Sequence, residues 1–310
     1  MSKNKSIIIW NGSVFSPPTI ANGQLALNIC LYLKGVLGEN KKYNYYFVPT
    51  NKYYNKPWVR CVSEEDRVYM LNKLIENMEK TYTIPKNVSF HVSEYEIEKG
   101  KKLKNPLTTI ESIEQFKQKH DIYIVSAMDH LVQRVKGYWS NSLELFFMCN
   151  IIVFDDFSGQ IIDSEQSEKY IYNSINMKSL LKQKRPKELL DFMKKNNITE
   201  RMIVEYIEKG NHSEKIELIK KLIMSKFVFL PKKMVPVNYK SAIGPRIRQE
   251  LKIYYSTADN IESLTNPETL KYIKDNQLYK ECGDKYIGKL VSSKKTKRKR
   301  SKSKYSKRRK

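Results

Sequence analysis

The chain has 310 residues, 40% of them hydrophobic, enough for one large α/β domain or two small ones. Lys and Arg number 57 against 33 Asp and Glu, a formal charge of +24, and twelve of those cations lie between Lys294 and Lys310 with no acid among them, so half of the excess is a tail. The four cysteines, Cys30, Cys61, Cys149 and Cys282, are scattered with no C-x-x-C pair, which argues against a zinc site and for a reduced, intracellular setting, cytoplasmic or nuclear. No apolar h-region opens the chain and no apolar run of about 18 residues stands out, so a soluble, non-secreted protein without a membrane partner is expected.

Residues 6–37 hold the first organised stretch. Ile7-Ile8-Ile9-Trp10 is a short apolar run, expected as a strand buried on both faces in a parallel sheet. Asn11 to Thr19 is rich in Gly, Ser and Pro and is expected as a turn. From Asn22, the expected N-cap, to Leu37 the apolar residues recur at helical spacing: Leu25, Ile29, Leu33 and Val36, with Leu27 and Leu31 widening the face. A Gly turn before a helix start suits an anion, because Gly12 lets backbone approach and the helix N–H groups favour phosphate. The turn is neither G-x-G-x-x-G nor G-x-x-x-x-G-K-[ST], so the dinucleotide fingerprint and the P-loop lose their main support. Taken alone, it is equally an ordinary strand–helix connection.

The residues of this turn carry a sharper signal. Gly12-Ser13, Phe15, Pro17-Pro18-Thr19 and Gly23-Gln24-Leu25 resemble the first motif of the adenylyltransferase and cytidylyltransferase superfamily, G-[ST]-F-[DN]-P-x-[HT]-x-G-H-L. Val14 stands as an insertion, Ala21 and Asn22 as two more, and Gln24 replaces the motif's second His. The resemblance implies that Gly12, Ser13, Phe15 and Gly23 lie at the ATP phosphates, with Thr19 and Gln24 in the catalytic positions.

Tyr45 to Val48 is expected as a second strand, ended by Pro49, with a loop from Thr50 to Val59 and a helix capped by Ser63. Pro49, Tyr54, Lys56, Arg67 and Met70 fall at the spacing of S-P-V-x-D-x-Y-x-K-K and H-R-x-x-M in the nicotinamide mononucleotide adenylyltransferases. There the Tyr and Lys face the mononucleotide phosphate, which assigns that role here to Tyr54 and Lys56. Val88 to Val92 is a third strand, with His91 expected as a structural histidine. Glu94-Tyr95-Glu96 is similar to the family's acidic-Trp-Glu turn, so Tyr95 is expected to stack on the acceptor ring.

Thr108 and Thr109 open a helix resembling the family's T-x-x-x-L, whose Thr lies near the base. Asp121 to Asp129 is a buried strand ending where the family has G-A-D. Asp129 sits past a strand's carboxyl end, where open α/β sheets place ligand groups, and it could equally cap the next helix. Trp139 matches the Trp that lines the family's nicotinamide pocket. Cys149 to Phe154 is the next strand. Residues 158–225 are polar and helical in pattern, with helices expected over 170–182, 187–196, 200–209 and 213–226, and form an expected helical insertion.

Phe227 to Leu230 is a further strand. Ser241-Ala242-Ile243-Gly244-Pro245-Arg246-Ile247-Arg248 resembles the superfamily's second motif, I-S-S-T-x-x-R. By that likeness Ser241, Gly244 and Arg246 hold ATP phosphates and Arg248 meets the leaving pyrophosphate. The run Asn260 to Tyr279 is similar to the family's closing pattern. From Ser292 the chain is Lys, Arg and Ser, composition that cannot form a core and that suits a disordered tail, a nuclear address or non-specific nucleic-acid binding.

The expected architecture is a doubly wound parallel α/β domain of the nucleotidyltransferase type over 1–157 and 226–291, with the helical insertion between and the basic tail after. The resemblance implies transfer of AMP from ATP, with Mg2+ accompanying ATP, to nicotinamide or nicotinate mononucleotide. No protein metal cage is expected. Two other readings stay open: a nucleotide-binding pseudoenzyme, and a basic nucleic-acid-associated protein that reuses the fold. The sequence leaves the oligomeric state unknown.

Overall fold

A computed structural model describes residues 6–54, 59, 62–116, 120–154, 164–210, 213–236 and 265–279. Its centre is a parallel six-stranded sheet in the order β3-β2-β1-β4-β5-β6. The strands are β1 (Ser6–Ser13), β2 (Tyr43–Pro49), β3 (Val88–Val92), β4 (His120–Ala127), β5 (Asn150–Phe154) and β6 (Phe227–Phe229). The helices among them are α1 (Ile20–Leu37), α2 (Glu64–Thr81), α3 (Tyr95–Leu103), α4 (Thr109–Ile113), α5 (Met128–Val135) and α6 (Ser142–Met148). Between β5 and β6 run α7 (Ser164–Ser174), α8 (Met177–Leu181), α9 (Lys187–Lys195), α10 (Glu200–Lys209) and α11 (Glu214–Met224), and α12 (Pro267–Asp275) follows β6.

β1 pairs with β2 on one side and β4 on the other. Its two faces must therefore both be covered, which is why Ile7 to Trp10 reads as unbroken apolar sequence. Ile7 and Ile9 share a core with Leu25, Ile29 and Leu33 of α1 and Leu71 and Leu74 of α2. Trp10 belongs to the opposite face with Ile113, Ile122 and Ile124. The sheet is thus doubly wound, the fold expected from the sequence. Sequential strands add outward from β1 to β3, and then the chain returns to β4 on the other side. The strand order reverses between β1 and β4, where such sheets leave a crevice at their carboxyl ends.

The expected turn is shorter than its composition suggests. β1 continues through Ser13, so Gly12 is a strand residue paired opposite Val48 and not a turn glycine. Side chains two apart on a strand share a face, and the Trp10 indole fills the space beside Gly12. A Cβ on Gly12 would meet the Trp10 ring at 2.0 Å. The N-cap is Thr19, not Asn22: the Thr19 hydroxyl accepts from the Asn22 N–H at 3.1 Å, and Asn22 Oδ1 accepts from the Thr19 N–H at 2.9 Å. Both residues are good cap formers, and the reciprocal box uses both.

On α1 the expected face is partly wrong, since Leu31 is 39% and Val36 60% exposed, while the small residues Ala21, Gly23 and Ala26 pack inward. α1 is apolar and long enough to cross a membrane, contrary to the expected absence of such a run, but near half of it is buried against the sheet and α2, as in a core helix. The capping of α2 is as expected, with the Ser63 hydroxyl accepting from the Asp66 N–H at 2.9 Å.

The helices of residues 164–224 form no separate body. Ile171, Leu180, Leu189, Ile203, Ile219 and Ile223 share one core with Leu131 of α5, Phe146 of α6 and Ile151 and Val153 of β5. They complete the second face of the sheet while carrying the chain from β5 to β6. The single helix expected over 170–182 is two, because Asn176 caps α8 by accepting from the Ser179 N–H at 3.1 Å. His212 and the tail lie outside the described residues.

The Trp10 ring is pinned by its own hydrogen bond, Nε1 to Ser112 Oγ at 3.1 Å, so it cannot swing away from a new methyl group. Gly12→Ala should therefore destabilise the protein by roughly 1–3 kcal/mol through overpacking. A urea midpoint equal to that of wild type would show that the ring yields.

Candidate functional site

The carboxyl ends of β1 and β4 lie side by side at the reversal of strand order. After β1 the chain turns through Val14 to Thr19. Phe15 takes a left-handed φ of +46°, which costs a non-glycine residue about 1 kcal/mol. Its ring is buried edge-on against Phe47 at 5.6 Å, and that burial offsets the strain. Phe15, expected beside ATP, is therefore a core residue of the first face. Gly23 is likewise a packing residue, since the space a Cβ would take is occupied by Met78 Sδ at 2.8 Å. Ser13 alone of the expected phosphate residues in this turn is exposed, and its carbonyl accepts from the Thr50 N–H at 3.0 Å.

Two structures brace the turn from outside. Arg67 of α2 is fully buried and donates from Nη1 to the Val14 carbonyl at 3.1 Å, while its Nε and Nη2 have no partner among the described residues. Burial lowers its pKa, against the raising influence of Glu64. The segment Thr265–Tyr279 closes over the same turn: Thr265 Oγ1 donates to the Pro18 carbonyl at 3.1 Å, and the hydroxyls of Ser16 and Tyr279 are 3.0 Å apart. Ala21 packs with Leu270, Ile273 and Tyr279. The start of α1 is consequently a covered site, and Thr19, an expected catalytic residue, is 2% exposed with its hydroxyl committed to Asn22. Gln24 sits on the second turn of α1 and donates from Nε2 to the Tyr82 hydroxyl at 3.0 Å, at the far cap of α2.

The residues expected to hold the mononucleotide divide into two groups. Thr109 and Trp139 meet at a residue that motif reading missed, Arg134 of α5, and Tyr54 lies within its electrostatic reach. Its guanidinium lies over the Trp139 ring, 4.2 Å from the centroid, and Nη2 donates to Thr109 Oγ1 at 3.2 Å. Tyr54 is close enough that the two perturb each other: burial first, then Glu96, raise the Tyr54 pKa, and Arg134 lowers it. Burial pulls the Arg134 pKa down to about 10. Trp139 is held in place by its own Nε1, which donates to Gln133 Oε1 at 3.0 Å.

The remainder make no described side-chain contact with Arg134. Tyr95 begins α3, where a turn was expected, and its hydroxyl accepts from Lys99 Nζ at 3.0 Å. Thr108 caps α4 in a reciprocal box with Glu111. Asp129 is exposed in the first turn of α5, whose N-cap is Ala127 and not Asp129, and its Oδ1 accepts from the His130 N–H at 2.8 Å. His91 is structural as expected, stacked on Tyr46 at 4.9 Å with burial lowering its pKa. Lys56, Ser241, Gly244, Arg246 and Arg248 lie outside the described residues. Among the described residues no three His, Cys, Asp or Glu side chains converge on one point. A cleft of about 540 Å³ lies between α2 and the edge strand β3, lined by Tyr69, Lys73, Glu76 and His91 among others, away from the β1–β4 reversal.

The loop after β2 owes its position to Asn51, which is fully buried and donates from Nδ2 to the carbonyls of Glu96 at 3.1 Å and Asn105 at 3.3 Å. Glu64 fixes its other side, accepting from the Lys52 N–H at 2.6 Å. This places Tyr54 beside Glu96, a second residue that motif reading left unassigned.

Neither a protein-family model nor a curated protein matches this chain. Solved structures do. Plasmodium falciparum nicotinic acid mononucleotide adenylyltransferase complexed with APC is 14% identical, with 88% of this chain and 97% of that chain covered and a TM-score of 0.48. The same protein complexed with NaAD gives 14% identity, the same coverage and a TM-score of 0.45. The likeness is one of fold alone.

Glu96 provides a pH test of the site's electrostatics. It is 3% exposed, and burial raises its pKa to about 7 although the Ser112 hydroxyl donates to it. An unfolded glutamate titrates near 4.3, so between about 4 and 7 the folded chain keeps a proton that the unfolded chain has lost. This contribution to stability is full below about pH 4 and is lost as pH rises through about 7. Glu96→Gln, which keeps an acceptor for Ser112, should match wild type at about pH 4 and exceed it by roughly 1–3 kcal/mol at pH 8. Unfolding curves of the two proteins that stay parallel from pH 4 to 8 would place the charge elsewhere.

Proposed function

We propose that this chain transfers AMP from ATP to nicotinamide or nicotinate mononucleotide and releases pyrophosphate. The observation that carries the reading is that Arg134 contacts both Thr109 and Trp139 and lies within electrostatic reach of Tyr54. Those three residues come from three separate sequence matches to the acceptor side of that family, and Arg134 links them on the α4–α5 side of the sheet. The strand order supports it, since the reversal between β1 and β4 is where sheets of this kind take nucleotides.

Attack of the mononucleotide phosphate on the α-phosphate of ATP needs alignment and charge neutralisation more than a covalent step through the protein. In this reading Ser13, the exposed residue of the turn, faces the phosphates, Lys56 neutralises the mononucleotide phosphate and Arg248 the departing pyrophosphate. Mg2+ arrives with ATP as part of the substrate. Removing Lys56 as Lys56→Ala should weaken mononucleotide binding by roughly 1–3 kcal/mol, the scale of a charged hydrogen bond, and leave the melting temperature nearly unchanged. Unaltered affinity by calorimetry would take Lys56 out of the site.

A second reading, nucleotide binding with little or no turnover, is favoured by one contact. The motif His would stabilise charge at the α-phosphate, but Gln24 cannot carry a proton's charge and its amide is already bonded to Tyr82. Charge-assisted bonds are about twice as strong as neutral ones. The rate should therefore lie on the order of a hundredfold below the ordinary enzyme median of about 10 s⁻¹. Incubation with ATP, Mg2+ and each mononucleotide, read as pyrophosphate and dinucleotide, tests both readings, and Gln24→His should raise the rate. Dinucleotide at the median rate would show that Gln24 is no handicap. ATP binding without any dinucleotide would leave the second reading standing.

A further inference from the structure

We propose that Arg134 is a specificity-determining residue that reads a carboxylate on the acceptor's ring, so that the site takes an acid such as nicotinate mononucleotide in preference to the corresponding amide. The inference rests on the preceding reading of Trp139 as a wall of the acceptor pocket. Arg134 itself belongs to no matched motif.

A guanidinium offers five N–H donors in one plane and accepts nothing. The described contacts of Arg134 use one of them, the bond to Thr109 Oγ1. The Trp139 face covers the guanidinium on one side, and no carboxylate of the described residues forms an ion pair with it. The groups that perturb it are Cys149 and Tyr54. Glu96, a buried acid beside Tyr54, has its pKa raised by burial to about 7 although Ser112 engages it, so it is the neutral acid below that pH. A half-buried cation that has lost part of its hydration and has no counter-ion among the described residues favours an anionic ligand.

Its setting narrows the class of anion. The guanidinium plane rests on an indole, and a second flat ring next to Trp139 could present a substituent to the guanidinium edge. A ring carboxylate would accept two parallel N–H bonds there, the geometry at which arginine excels. A ring amide has one oxygen to accept and an NH2 that meets donors with a donor, which leaves buried donors unpaired. Sites built to pair a polar group reject the analogue that cannot pair by large factors.

The test is equilibrium binding of nicotinate mononucleotide and nicotinamide mononucleotide to the full chain, followed by calorimetry and by Trp fluorescence. Wild type should bind the acid about tenfold or more tightly than the amide. Arg134→Gln should abolish that ratio with affinity for the amide little changed, and Arg134→Lys, which keeps charge but loses the fork, should retain part of it. A merely structural arginine would weaken both ligands alike. Equal affinities in wild type, or a ratio that survives Arg134→Gln, would overturn the assignment to Arg134 and leave the acceptor reading in place. Failure of wild type to bind either mononucleotide would remove the acceptor reading, and Arg134's role with it.

Discussion

The pairing of β1 on both sides fixes the rest of this molecule. A parallel strand with neighbours at both edges has no solvent face and no free edge, so helices must come from both directions. α1 and α2 cover the face of Ile7 and Ile9. α4 covers the face of Trp10, and α5 to α11 cover β5 on that same side. The chain reaches β4 only by returning across β1, and that return creates the reversal at which the site residues can gather. The crevice at the reversal is thus downstream of a packing requirement on a few apolar residues near the start of the chain.

Within that frame, glycines and polar groups serve packing. Gly12 accommodates the indole of Trp10, and Gly23 lets α1 approach α2. Asn51 spends its amide on two carbonyls, so that the loop carrying Tyr54 has one position. Arg67 is the costlier device. A buried guanidinium with two unpartnered nitrogens is expensive, and in return it holds the carbonyl of Val14 and with it the path of the turn. Such a group is tolerated where the backbone it holds has to be held.

Much of the fold was legible in sequence because it rests on periodicity. Ile7 to Trp10 is an unbroken apolar run and Val88 to Val92 alternates apolar and polar residues, and Ser63 before three acids announces α2. The site was less legible, for reasons that are local and specific. A glycine that clears a ring two residues back looks in sequence like a turn glycine. Thr19 and Asn22 are each plausible caps, and only the reciprocal bonds say which is which. Leu31 and Val36 satisfy helical spacing yet face solvent, because α1 buries small side chains against α2 instead. Tyr54, Thr109 and Trp139 were found through motif positions, but Arg134, which joins them, occupies none. Its burial with no ion-pair partner among the described residues is a property of three-dimensional surroundings that no spacing encodes.

The closure of the first turn by Thr265–Tyr279 has a consequence for biosynthesis. Ser16 and Tyr279 are separated by 263 positions along the chain. A contact that distant forms late, since the entropy of closing a loop must be met before the contact returns anything. On the ribosome, β1 to β6 can assemble while residue 279 is still unmade. Until Tyr279 has emerged, the start of α1 and the apolar surface of Ala21 and Met70 stay open to water and to other chains. The nascent protein therefore passes through a stage with a complete sheet and an uncovered turn, a stage at which its open apolar surface invites chaperones.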